Sequence, residues 1–185
     1  MNPGRLWKAL VYPLFPSVSR WAHEKRRKGL HYRSCSSDAL ESQREQDFCF
    51  WKLFLQPQKG GKFLEIGGDG AVGSQTLGLE LHHGWSGSVS ITGAQARNRA
   101  REVRKCQVQE ELQPFSQTGS LDLLALHQLA ECKSIFVMIQ EGKIQPRWVI
   151  VENREPDPQW CRWLEGRGYK LKFYFHDDEY YEFQG

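Results

Sequence analysis

The run KFLEI (62–66), followed at once by GGDGAVGS (67–74), constrains this chain more than any other stretch. Five mostly apolar residues are too few for an ordinary helix and read as a short buried strand. The glycines after them permit left-handed backbone, so the chain can turn sharply and bring its peptides close to a ligand. TLGLELHHG (76–84) then reads as a helix that stops at Gly84. Strand, glycine turn and helix make the first unit of an alternating chain.

The alternation continues. WSGSVSI (85–91), CQVQE (106–110), LDLLAL (121–126) and RWVIVEN (147–153) read as strands. AQARNRAREVRK (94–105), AECKSIFVMIQEG (130–142) and DPQWCRWLEGRG (157–168) read as helices. Before them, DALESQREQDFCFWKLFL (38–55) reads as a helix capped near Ser37 or Asp38. YKLKFYFHDDEYYEF (169–183) reads as a β-hairpin, with Asp177, Asp178 and Glu179 expected in a solvated turn. Strands alternating with helices imply an α/β fold: a mostly parallel sheet with helices on both faces and a C-terminal antiparallel hairpin. Trp148, Trp160 and Trp163 are expected to pack in the core or on helix faces.

Charge separates an arm from this domain. Residues 1–33 hold eight basic side chains against Glu24, a balance of +7; the whole chain stands at +3, so the remainder carries −4. The expected division is a basic, partly apolar arm over residues 1–37 and a domain over residues 38–185. LWKALVYPLF (6–15), followed by EKRRKG (24–29), suits a peripheral contact with an anionic membrane through residues 1–33. The competing reading is a solvated extension that packs on the domain. Nucleic acid is read as an unlikely partner, because the domain is acidic and carries no nucleic-acid-binding motif. The five cysteines are odd in number and form no CxxC pair, so the expectation is free thiols, no metal and a cytoplasmic location.

The glycine turn leaves two answers open, a cofactor cradle or a plain strand-to-helix turn. It lacks the Gly-Lys-Ser/Thr ending of a P-loop. GDGAVG (68–73) has GxGxxG spacing, but the second strand ends SITGAQ, without the acid that would hold a dinucleotide ribose. A nicotinamide-dependent oxidoreductase is therefore the weakest reading.

Six stretches in order resemble the FkbM-type S-adenosylmethionine-dependent methyltransferases. They are ESQREQDF, KFLEIGGDGAVGSQTLGLE, HHGWSGSVSI, SLDLLALHQLA, IQPRWVIVEN and LEGRGYKLKFYFHDDEYYE. The resemblance runs from about Leu40 to the C-terminus. It implies a Rossmann-like methyltransferase fold, S-adenosylmethionine as cofactor, and O-methylation of a sugar or other small, glycan-type substrate. By position it implies cofactor contacts at Glu65, Gly67, Asp69, Gly70, Ser74 and Thr76, with Gly68 added for its backbone freedom. Glu152 matches an acid ending a later strand, which lines the cleft or caps a neighbouring helix. Two positions depart from the family. Its ribose-holding acid aligns with Thr92, and its Asp after the fourth strand aligns with His127.

A Thr hydroxyl at Thr92 can still bond a ribose hydroxyl, though without a carboxylate's charge. A neutral His127 could serve as base near pH 7; otherwise it replaces the lost acid or caps the next helix. The expected function is thus methyl transfer, with a catalytically silent binding or scaffold module as the alternative.

Overall fold

A computed structural model describes Phe50, Leu55 and residues 60–71, 73–110, 120–127, 132–153, 158–175 and 178–185. The arm, the cap near Ser37 or Asp38, and Asp177 lie outside these residues.

Seven strands form one sheet: β1 (Lys62–Ile66), β2 (Ser86–Ser90), β3 (Gln107–Gln109), β4 (Leu123–Leu126), β5 (Trp148–Glu152), β6 (Tyr169–Phe175) and β7 (Asp178–Phe183). The described helices are α1 (Leu77–His83), α2 (Ala94–Val103), α3 (Lys133–Gln140) and α4 (Pro158–Glu165). The sheet order is β3-β2-β1-β4-β5-β7-β6. β1 to β5 pair in parallel, and β7 runs antiparallel between β5 and β6. The expected α/β fold is therefore observed, with the C-terminal hairpin inserted so that its second strand, not its first, joins the parallel sheet.

The strands are apolar on both faces because helices cover both. Leu64, Ile66, Leu124, Leu126, Val149 and Val151 face one core with Ile135 and Phe136 of α3 and Leu164 of α4. Phe63, Val89, Leu123, Ala125 and Ile150 face the other with Leu79 of α1, Ala100 of α2 and Phe50. Trp148 is buried edge-on to Phe50, with ring centroids 5.1 Å apart. Trp160 and Trp163 pack around Phe136 on the opposite face. α1 ends as its sequence requires, at Gly84 with φ 71°.

The hairpin corrects one expectation. Asp178 and Glu179 are not in a solvated turn; they begin β7 and are buried. Asp178 pairs with Glu152 and Glu179 with Val151. Glu179 is stabilised there by Asn153 Nδ2, which donates to Oε1 at 3.3 Å, and by the Tyr181 hydroxyl, which donates to Oε2 at 2.5 Å. Five residues of β7 pair along the whole length of β5, an interior strand, which draws the first residues of β7 inward despite their charge.

Candidate functional site

The carboxyl ends of β1, β4 and β5 carry one row of ionisable side chains. Glu65 lies in β1, His127 directly after β4, and Glu152 at the end of β5. Strand register brings them together: Ile66 pairs with Leu126, and Leu126 with Val151. The His127 amide also donates to the Ile66 carbonyl at 3.0 Å, which extends the β1–β4 ladder by one residue. In an α/β sheet this edge, near the switch in strand order, is where ligands bind.

Glu65 is fully buried and accepts from every side. Ser74 Oγ donates to Oε2 at 2.8 Å, and the Thr76 hydroxyl donates to the same oxygen. Arg104 Nη2 donates to Oε2 at 2.9 Å. His127 Nε2 lies 2.7 Å from Oε1, which also accepts from the Gln75 amide at 3.4 Å. Burial alone would push the Glu65 carboxyl upward. The Arg104 guanidinium, with His127, reverses this and holds it far below the usual carboxylate range.

Arg104 follows α2 and is the second hub. Its Nε donates to the Gly70 carbonyl at 2.6 Å, and its Nη1 donates to Thr76 Oγ1 and Glu80 Oε2, both at 3.0 Å. Ser74 Oγ is a further partner of Nη2. The guanidinium carbon lies 5.7 Å from the Phe63 ring centroid. Burial disfavours the charge, but Glu65 and then Glu80 outweigh it, so the group stays cationic. The second oxygen of Glu80 accepts from the Cys106 amide at 2.7 Å. Burial also pushes the neighbouring Cys106 thiol up to about 12, which makes it an inert neutral group.

His127 lies between two acids. Its Nδ1 is 3.0 Å from Glu152 Oε2, and its Nε2 faces Glu65. Burial lowers the affinity of the ring for a proton. Hydrogen bonds to Glu152 and Glu65 more than reverse that and raise the ring to about 10. Both nitrogens are therefore donors at neutral pH, and the imidazolium has no lone pair with which to take a proton.

The glycine turn sits above this network. Gly67, Gly68 and Gly70 adopt φ of 80°, 69° and 67°, which only glycine adopts without strain. Gly68 is exposed, whereas Gly67 and Gly70 are buried. A side chain at Gly70 would place its Cβ 2.3 Å from Ile91 Cδ1. Asp69 folds back on the turn, accepting from the Ala71 amide at 2.9 Å. Thr92 stands apart from the row, exposed beyond β2, and its carbonyl accepts from Arg97 Nη1 at 2.8 Å.

The structure thus brings Glu65, Ser74, His127 and Glu152 into one network beneath Gly67, Gly68, Asp69 and Gly70, with Thr92 at the neighbouring strand end. Glu65 and Ser74 lie inside the framework, and the surface open to a ligand is the backbone at Gly68 with Thr92 and part of Glu152. Sequence reasoning missed Arg104 and Glu80. The signal was present: Ala96, Ala100 and Arg104 recur at every fourth residue, so Arg104 shares the stripe that faces the core. Among the described residues no group of three or more His, Cys, Asp or Glu is arranged to hold a metal, and no helix is long and apolar enough to cross a membrane.

No family model matches this sequence, and no curated protein does. Solved structures do share the fold. The precorrin-6y C5,15-methyltransferase from Geobacter metallireducens GS-15 is 11% identical with a TM-score of 0.54, over 80% of this chain and 90% of that one. The ribosomal protein L11 methylase from Lactobacillus delbrueckii subsp. bulgaricus is 13% identical with a TM-score of 0.54, over 83% and 91%. A Streptococcus pneumoniae protein, described as a candidate tRNA (m1A22) methyltransferase, is 18% identical with a TM-score of 0.46, over 69% and 66%.

At these identities the likeness is one of fold: the chain has the Rossmann-like fold of S-adenosylmethionine-dependent methyltransferases. The comparison corrects the expected partners. The names of the neighbours with TM-scores above 0.5 range from a precorrin to a ribosomal protein as substrate, so the fold does not select one class. The expectation of a small-molecule or glycan-type substrate, with nucleic acid unlikely, does not stand. The physical reason is that the shared fold forms a common framework, while the acceptor is chosen by side chains and segments that differ from chain to chain.

Proposed function

We propose that this chain is an S-adenosylmethionine-dependent methyltransferase that holds its cofactor on the turn after β1. The observation that carries the reading is that turn itself: four left-handed glycines, Gly67, Gly68, Gly70 and Gly73, after the carboxyl end of a central parallel strand, with Gly68 open to a ligand. The shared fold and the ordered sequence resemblance to FkbM-type enzymes support it.

The residues present suit such a cofactor. Gly68 is exposed and leaves room for close backbone approach, and the hydroxyl of Thr92, exposed beyond β2, would bond a ribose hydroxyl. Glu65 and Ser74 shape the turn from beneath, and Asp69 braces it. Bound S-adenosylmethionine supplies an electrophilic methyl group; the protein's task is to present an acceptor atom in line with it. Glu152 is the acid of the row with an exposed part, its side chain 18% accessible, and it would line the acceptor side.

Calorimetry of the full chain with S-adenosylmethionine and S-adenosylhomocysteine tests the reading. Saturable binding below millimolar ligand is expected, and no heat at millimolar ligand would overturn it. One observation favours a second reading, a non-catalytic binding module: both His127 nitrogens are engaged and provide no base. Labelled methyl transfer from the cofactor to any component of a cell extract, blocked by S-adenosylhomocysteine, would exclude that alternative.

A further inference from the structure

We propose that His127 is a positioning residue of the cofactor site, a cationic tie that bridges Glu65 of β1 and Glu152 of β5 and holds the Gly68 turn in place. The role rests on the methyltransferase reading above and replaces that of a proton acceptor.

Three observations carry it. First, the ring spans two carboxylates on different strands, at 2.7 and 3.0 Å. A neutral imidazole has one N–H, so one contact would become a lone pair facing a carboxylate oxygen. The bridge therefore exists only while the ring is charged. Second, the ring lies against the turn. A side chain at Gly68 would bring its Cβ to 3.1 Å from His127 Cγ and Cδ2, so the ring fills the space below that peptide. Third, the ring is buried while Gly68 above it is exposed, so the ring supports the turn from inside.

The described charged groups around the ring fix the sign of its dependence on pH. Glu65 faces it from β1 and Glu152 from β5. Arg104 holds the far side of Glu65, and Asp178 of β7 pairs with Glu152. Two contacting acids keep the ring protonated across the neutral range. Deprotonation would release one acid, and with it the fixed distance between β1, β5 and the turn.

The test is S-adenosylhomocysteine binding to the full chain by calorimetry from pH 7 to 10.5, for wild type, His127→Gln and Glu152→Gln. Each protein is first checked for a cooperative melt. Wild-type affinity should be level near neutrality and fall as pH approaches the ring's value of about 10. His127→Gln should bind about ten-fold more weakly at pH 7.5, the loss of roughly one charge-assisted hydrogen bond, and without that alkaline fall. Glu152→Gln should shift the alkaline fall to lower pH, which a purely structural role would not do. A folded His127→Gln with affinity within two-fold of wild type and the same pH profile would overturn the proposal.

If His127→Gln does not fold, Glu152→Gln decides: an unshifted alkaline fall refutes the tie. If wild type binds no S-adenosylhomocysteine, the methyltransferase reading fails separately. Amide exchange at Gly68, Asp69 and Gly70 then decides for the tie. Exchange at least ten-fold faster in whichever variant folds supports it, and unchanged exchange refutes it.

Discussion

Replacing Arg104 with Met should destabilise the domain by about 3–5 kcal/mol, the cost of breaking a buried ion pair from one side. The size follows from where the charges lie. The side chains of Arg104 and Glu65 are both fully buried, and that of Glu80 is only 3% accessible, so solvent screens neither pair. Met fills much of the volume and keeps the contact with Phe63. It leaves two buried carboxylates without their main counter-charge and the Gly70 carbonyl without its donor. Urea unfolding followed by tryptophan fluorescence reads the effect directly. At about 2–4 °C per kcal/mol for a domain of this size, melting should fall by roughly 6–20 °C. The double variant Arg104→Met, Glu65→Gln should lose less than the two single changes summed, because it removes both charges together. Arg104→Met within about 1 kcal/mol of wild type would refute the reasoning, since the buried acids would then be shown to need no cation.

Other outcomes follow from the same network. The folded His127 ring is raised to about 10, above its ordinary 6.5, so its contribution to stability is complete below about 6.5 and is lost as pH rises through 10. Wild-type unfolding free energy should fall by up to about 1.4 kcal/mol per pH unit across that window, a slope that His127→Gln should lack. Glu65 has the opposite sign. Its depressed carboxyl gives stability that is present above its ordinary 4.5 and lost as pH falls, and Glu65→Gln should flatten the acid limb of the unfolding curve. Gly70→Ala should cost more than about 1–3 kcal/mol, because left-handed backbone and overlap with Ile91 add, and a melting curve within error of wild type would contradict this.

The sequence made the alternation of strands and helices legible because each apolar run was short and bounded by glycine or a charged helix. It also marked the turn after β1, since four glycines in seven residues have few other uses. The insertion of β7 between β5 and β6 could not be read, because local pattern gives a hairpin but not the strand it joins. The burial of Asp178 and Glu179 was hidden for the same reason: a run of acids looks solvated until a neighbouring strand claims it. His127 was found by position, but its charge depends on Glu65, 62 residues away, a contact that only strand register reveals. Arg104 was concealed among Arg97, Arg99, Arg101 and Lys105, because composition alone does not tell which basic side chain turns inward.

The placement of β7 has a kinetic consequence. β6 touches the rest of the sheet through β7, although β7 follows it in the chain. During synthesis β5 must therefore wait, its outer backbone groups unpaired, until residues 178–183 have emerged and folded back. An open, apolar strand edge held for that interval is a template for pairing with other chains. Yield in cells should accordingly depend on how fast the last hairpin closes, and substitutions that slow its turn should drive the protein into inclusion bodies even where they leave the finished fold as stable as before.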